Sequence, residues 1–235
     1  MRRSALRRVG IYGGTFNPIH LGHLRAAEEV AETLDLAHVI FVPSAVPPHK
    51  IPVGGREDPI APAAMRLAWV RTAVADNPRF RVDPLEVERG GASYLVDTLR
   101  ALRARLAAEA AEPVFVLGHD AFAEMGLWRD PRTLFELAHY AVLVRPPRRT
   151  GSLADWLPEV AKDDVEIAPD GRSGSHRRAG TWLRLVEIAG HDVSASDVRR
   201  RLREGLSVRY LLPEPVRKAV LASRVYRARE QTQAR

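Results

Sequence analysis

The sequence predicts an α/β fold: a mainly parallel sheet with helices on both faces and a small helical part near the C-terminus. Short apolar runs (9–12, 39–43, 113–118, 140–144) alternate with stretches whose apolar residues recur every three or four positions. The first run, the periodic stretch after it and the second run together form a β-loop-α-β unit of about 35 residues, the size of a right-handed parallel crossover. With 235 residues, 46% of them hydrophobic, the chain is long enough for one substantial core.

Each element has its own signal. VGIY at 9–12 runs into Gly13-Gly14, a strand ending in a tight turn. After Asn17-Pro18, residues Leu24, Ala27, Ala31 and Leu34 mark a helix, and VIFVP at 39–43 a buried strand. Residues 62–76 read as helix and 80–87 as strand. The stretch 93–110 is a strong helix with Leu95, Leu99, Leu102 and Leu106 on one stripe. PVFVLG at 113–118 is a buried strand ending in glycine. A short helix (131–138) precedes a strand (140–144) stopped by Pro146-Pro147. The stretch 146–182 is the least regular, with Pro, Gly, Ser and Arg concentrated at 169–181, and reads as an exposed excursion. A strand (183–188) and helices (196–204, 214–223) follow. No internal repeat divides the chain, so 1–235 is expected to be one domain, with 190–226 as its C-terminal helical part.

Composition narrows the function classes. Aromatic content is 6%, so Ala, Val and Leu must build the core. No apolar run reaches the roughly 18 residues of a membrane span. The basic start MRRSALRRVG has no apolar stretch of the secretory kind. Without cysteine, disulfides and thiolate metal sites are ruled out. A cytoplasmic protein with no membrane partner is expected. The net charge of +7 comes mainly from arginine, since lysine occurs only at Lys50, Lys162 and Lys218. That charge favours anionic partners without choosing among nucleic acid, acidic membrane and phosphorylated small molecules. No basic motif interleaved with aromatics is present, so nucleic-acid binding is not expected.

The most informative segment is GGTFNPIHLGH, residues 13–23. Gly13 and Gly14 let backbone N–H groups approach a phosphate, and Thr15 adds a hydroxyl. His20 and His23 stand three apart at the start of a helix, where orphan N–H groups and the dipole favour an anion. The site falls at the C-terminal end of a parallel strand, where open α/β sheets bind ligands. The segment is neither GxGxxG, nor a P-loop, nor HExxH. On the residues alone, a plain glycine turn with two surface or metal-binding histidines stays open.

Three further segments carry polar chemistry. In VPSAVPPHK (42–50), Pro47-Pro48 stiffens a loop that presents His49 and Lys50. SYLVDTL (93–99) offers Ser93 as a helix cap, with free N–H groups behind it for an anion. GHDAFAEMGLWRD (118–130) places Asp120 just after a strand-ending glycine and Trp128 in a loop, available for stacking or for capping the edge of a core. In DVSASDVRRRLREG (192–205), Ser194 with Asp197 resembles a capping box, and Ser196 and Arg199 lie in the first turns. A capped basic surface helix is the other reading of that segment.

The first segment resembles the (G/S)xFxPxHxGH signature of the nucleotidylyltransferase superfamily, and more specifically the GGTF(D/N)PxHxGH of nicotinate-nucleotide adenylyltransferases. PPHK, SYLVDTL, the GxDxxxxxxxW spacing and VSASDVR are similar to that family's PPH(K/R), SYTxxTL, GxDxxxxxxxW and IS(S/A)TxxR, in the same order, and the resemblance spans 9–226. Asn17, Leu95 and Ser196 stand where aspartate, threonine and threonine are common. The resemblance implies a Rossmann-like nucleotidyltransferase fold and adenylyl transfer from ATP to nicotinate mononucleotide, releasing pyrophosphate, in NAD biosynthesis. It implies His20, His23 and Arg199 as the catalytic clamp. Gly13, Gly14, Thr15, Gly118, Asp120, Ser194 and Ser196 would join them around ATP. Asn17, His49, Lys50, Ser93, Tyr94 and Trp128 would hold the acceptor.

An ionised phosphate nucleophile needs no general base, which agrees with the lack of an acid/base pair. Mg²⁺ is expected on ATP phosphates and water, with no protein metal site, because no carboxylate cluster has ligand spacing. Nicotinamide mononucleotide and pantetheine phosphate are the alternative acceptors, and a homo-oligomer is compatible with the sequence.

Overall fold

A computed structural model describes residues 7–48, 59–144 and 151–227. One sheet of eight strands runs through these residues in the order β3-β2-β1-β4-β5-β8-β7-β6. The strands are β1 (Arg7–Gly14), β2 (His38–Pro43), β3 (Phe80–Val82), β4 (Ala111–Gly118), β5 (His139–Val144), β6 (Val165–Ile167), β7 (Ser173–His176) and β8 (Trp182–Glu187). From β3 to β8 the neighbours are parallel; β7 and β6 then add antiparallel. Chain order reverses on either side of β1, so a crevice opens at the C-terminal ends of β1 and β4, the place where such sheets bind nucleotides.

Period-two alternation divides the core between the two faces. Val39, Phe41, Val114, Val116, Ala141 and Leu143 pack on one side against α1 (Leu21–Thr33) and α2 (Ala63–Val74). Ile40, Val42, Phe115, Leu117, Tyr140 and Val142 pack on the other against α4 (Leu95–Ala108) and α6 (Pro131–Leu137). The C-terminal helices α8 (Ala195–Arg203) and α9 (Glu214–Ser223) bury Val198, Val216 and Val220 in the first of these cores. On α1 the expected stripe is buried at Ala27, Ala31 and Leu34, with Leu24 partly buried.

The structure corrects three sequence expectations. The strand expected over 80–87 stops at Val82, because Asp83-Pro84 turns the chain and the Asp83 carboxylate accepts from the Leu85 N–H (2.9 Å). Residues Leu85–Arg89 form the helix α3 instead. The stretch 146–182 is no mere excursion. Its described part contains the helix α7 (Leu153–Trp156) and the β6–β7 hairpin that extends the sheet, with Leu153, Leu157, Ala161 and Val165 buried. The Asp170-Gly171 pair makes the turn, Gly171 at φ +65°, where its missing Cβ matters. Ser93 does not cap α4: Tyr94 holds the N-cap position, and the Ser93 hydroxyl accepts from the Ala45 N–H (2.9 Å). It thereby ties the loop after β2 to the start of α4. The short helix α5 (His119–Ala123) begins directly after β4.

Candidate active site

The loop after β1 is held by buried polar contacts. A Cβ on Gly13 would lie 3.3 Å from the Phe115 ring, and one on Gly14 would lie 3.2 Å from the Phe16 ring, so a side chain at either position would press on an aromatic neighbour. Phe16 adopts φ +47°, a strained conformation for an aromatic residue. Asn17 is 5% exposed. Its Oδ1 accepts from the Ala61 N–H (3.0 Å) and the Tyr226 hydroxyl, and its Nδ2 donates to the Pro59 carbonyl (3.1 Å). The side-chain amide of Asn17 is thus turned into the protein, where it joins the loop to the approach to α2 and to the C-terminal residues.

His20 is the N-cap residue of α1, and His23 lies one turn into the helix. Their rings stack with centroids 3.6 Å apart, and the His20 N–H donates to His23 Nδ1 (3.3 Å). Phe16 and Tyr12 present their rings edgewise to His23 at 5.2 and 6.0 Å. With Nδ1 an acceptor, a neutral His23 carries its proton on Nε2, the tautomer that donates to an anion. Gly22 lies between these rings and the 188–194 segment. An added Cβ would meet His20 Nδ1 at 3.1 Å and the His191 carbonyl at 3.2 Å. Gly22→Ala is expected to displace the His20 ring by a few tenths of an ångström and lower kcat about tenfold, with a small change in urea stability. An unchanged kcat would show that the ring position does not matter.

Arg199, on the second turn of α8, reaches back and donates to the Asn17 carbonyl (2.8 Å). Burial lowers its pKa, though an arginine stays protonated. Ser194 caps α8 by accepting from the Asp197 N–H (3.1 Å), as the capping-box pattern predicts. The segment before it is anchored by Glu29 of α1, whose carboxylate accepts from the Ala189 (2.6 Å) and Gly190 (3.1 Å) N–H groups. Burial would raise the Glu29 pKa, but these donors and Arg25 outweigh it and hold the carboxyl below its usual range.

The turn also borders a cleft of about 290 Å³. Gly13, Gly14 and Thr15 line it together with Ser93, Tyr94 and Trp128. Pro47 and Pro48 approach from the loop after β2. The Arg129 guanidinium lies 4.6 Å above the Tyr94 ring. Glu86 of α3 also lines the cleft and accepts from the Thr98 hydroxyl (2.6 Å); burial pushes its carboxyl above the usual range. The Ser44 hydroxyl, buried in the same wall, has no protein partner among the described residues.

The structure therefore gathers Thr15, Asn17, His20, His23 and Arg199 around one turn, and Ser93, Tyr94 and Trp128 around the adjoining cleft. Gly118 ends β4 and Asp120 stands exposed on α5, both outside the residues that line that cleft. Ser196 lies on the first turn of α8. His49 and Lys50 lie outside the described residues. Among the described residues no three His, Asp or Glu side chains are placed to hold a metal ion, and no helix is long and apolar enough to cross a membrane. Arg66, Glu86, Ser44, Gly22 and Tyr226 are additions to the site. Arg66 had one signal in the sequence, a charge at helical spacing from the apolar Val70, Ala73 and Val74. The strand reading of 80–87 hid Glu86.

Comparison with known proteins agrees with this geometry. The family model described as cytidylyltransferase-like matches residues 11–201. The chain is 43% identical to a protein of Halorhodospira halophila over 95% of this chain and 97% of that one. It is 40% identical to one of Citrifermentans bemidjiense over 93% and 98%. Both are named "probable nicotinate-nucleotide adenylyltransferase". The nicotinic acid mononucleotide adenylyltransferase of Plasmodium falciparum, solved with NaAD, superposes with a TM-score of 0.68 at 13% identity, covering 94% of this chain and 97% of that one. At that identity the likeness speaks for the fold, which is the Rossmann-like one. With the family model covering most of its length and such relatives end to end, the chain belongs to the cytidylyltransferase-like family and, within it, to the nicotinate-nucleotide adenylyltransferases.

Proposed function

We propose that this protein transfers the adenylyl group of ATP to nicotinate mononucleotide, forming nicotinate adenine dinucleotide and pyrophosphate for NAD biosynthesis in the cytoplasm. The observation that carries the reading is the junction of two half-sites at one turn. The stacked His20–His23 pair and Arg199 meet the turn at Phe16 and Asn17, and Gly13, Gly14 and Thr15 of the same turn line the cleft that Trp128 also lines. A donor polyphosphate and an acceptor mononucleotide placed in the two halves would meet at Gly13–Thr15.

In this reading an acceptor phosphate oxygen attacks the α-phosphorus of ATP in line, and the bond to the β-phosphate oxygen breaks. The nucleophile is already ionised, so the protein positions the reactants and stabilises charge. His20, His23 and Arg199 face the ATP phosphates, with Ser194 and Ser196 at the start of α8 beside them. Gly118 and Asp120 edge the nucleoside side. The pyridine ring stacks on Trp128, and its carboxylate faces the free N–H groups at the start of α4, near Tyr94. His49 and Lys50 are assigned to the acceptor phosphate. Asn17 acts on the acceptor indirectly, by fixing the turn.

Magnesium fits as an ion brought by the nucleotide. Glu86 is buried and already bonded to Thr98, so the ion would be held chiefly by phosphate oxygens and water. When bound, the ion would neutralise charge on the β- and γ-phosphates.

Pyrophosphate release measured with ATP and a panel of acceptors tests the reading: nicotinate mononucleotide should far outpace nicotinamide mononucleotide and pantetheine phosphate. Trp128→Ala should weaken both pyridine acceptors by roughly 1–3 kcal/mol, the scale of base–aromatic stacking, and leave the ATP KM and the acid-to-amide preference nearly intact. A variant that bound both acceptors well but lost the preference would move the recognition of the carboxylate to Trp128.

A further inference from the structure

Arg66 is 1% exposed, one of the largest fully buried side chains in the molecule. It stands in the first turns of α2, and its flat guanidinium fork reaches three backbone segments at once. Nη1 donates to the Thr15 carbonyl (2.6 Å), Nη2 to the Ala45 carbonyl (2.8 Å) and Nε to the Ala61 carbonyl (2.8 Å). These carbonyls belong to the loop after β1, the loop after β2 and the approach to α2. All three partners are neutral; Glu86 acts on Arg66 only through space, without an ion pair, and burial holds that carboxyl toward its neutral form. A buried cation without a counter-ion is costly, and a methionine would fill much of the same space without that cost.

The geometry gives the charge a use. In a trans peptide the C=O and N–H point in opposite directions. With the Thr15 carbonyl pulled inward by Arg66, the Phe16 N–H of the same peptide points away from Arg66, and no carbonyl among the described residues accepts it. Phe16 is the residue at φ +47°, a conformation that persists only where its surroundings impose it. A backbone bend of this kind, with its N–H groups turned one way, is the usual construction of an anion cradle.

We propose that Arg66 is a positioning residue for adenylyl transfer: it holds the Thr15–Phe16 peptide with its N–H toward the ATP phosphates and sets a positive charge without an ion-pair partner behind them. The proposal rests on the assignment of the phosphates to the Gly13–His20 loop. It gives a buried arginine that does not itself touch substrate an anionic partner in the polyphosphate.

The test uses Arg66→Gln and Arg66→Lys in the full chain, with inorganic pyrophosphate as the binding probe. Arg66→Gln should fold, lose roughly 30- to 100-fold in kcat and bind pyrophosphate about tenfold more weakly, with the acceptor KM within about threefold of wild type. Arg66→Lys keeps the charge but cannot hold three carbonyls, so it should regain most of the pyrophosphate affinity while kcat stays about tenfold low. A purely structural role would lower the folded fraction and leave the folded molecules with wild-type kcat and pyrophosphate affinity; that result overturns the proposal. If Arg66→Gln does not fold, Arg66→Lys decides, and a wild-type kcat in that variant is equally fatal. Failure of the wild-type protein to bind pyrophosphate would remove the phosphate assignment itself, and the role of Arg66 with it.

Discussion

Replacing His23 with alanine is expected to lower kcat by about 10²-fold or more, the cost of losing a preorganised donor at a transferring phosphoryl group. The ring is fixed from several directions. It stacks on His20 at 3.6 Å, receives the His20 N–H at Nδ1 and packs against the edges of Phe16 and Tyr12. A side chain so constrained reorganises little when charge develops beside it, and this is how a neutral imidazole can matter so much. Steady-state pyrophosphate release decides the point, with urea unfolding run in parallel to separate lost chemistry from lost packing. An unchanged kcat in a folded variant would take His23 out of the mechanism.

Arg199→Ala should have the next largest effect, about 10²-fold in kcat/KM for ATP, with the acceptor KM moving less than about threefold. A hydrogen bond to a charged group contributes about 1.5–3 kcal/mol, and this one secures the Asn17 carbonyl on the turn that both substrates share. The cation is lost as well, from a half-buried position where solvent screens it weakly. If the acceptor KM rose instead while the ATP KM held, the second and fourth segments would have to exchange roles.

Much of this architecture was legible because local and global signals agree. The apolar runs at 39–43, 113–118 and 140–144 are buried on both sides, so their strands could be read without knowing their neighbours. The α9 helix was bounded correctly by Pro213 and the residues after Ser223. Asp83-Pro84 ended a strand early because turn chemistry overrode a β-like composition. The β6–β7 hairpin escaped notice because its strands are only three and four residues long and β7, Ser-Gly-Ser-His, carries no apolar alternation. In the site, the signals confined to one segment, such as the His20–His23 spacing and the Ser194 cap, could be read directly. Contacts spanning distant segments could not. Nothing near Asn17 announces that Pro59, Ala61, Arg199 and Tyr226 converge on it, and no periodicity reveals that Arg66 closes on three separate carbonyls.

The bond between Tyr226 and Asn17 joins residues 209 positions apart, close to the full length of the described chain. Tyr226 also lies against Trp69, with ring centroids 5.9 Å apart, under the same turn. During synthesis on the ribosome, then, the β1 loop emerges early but waits for 209 further residues before Tyr226 can reach Asn17. A nascent chain halted before residue 226 would present the histidines on a turn that lacks this support, so full competence to bind nucleotide would come late, once residue 226 has left the exit tunnel.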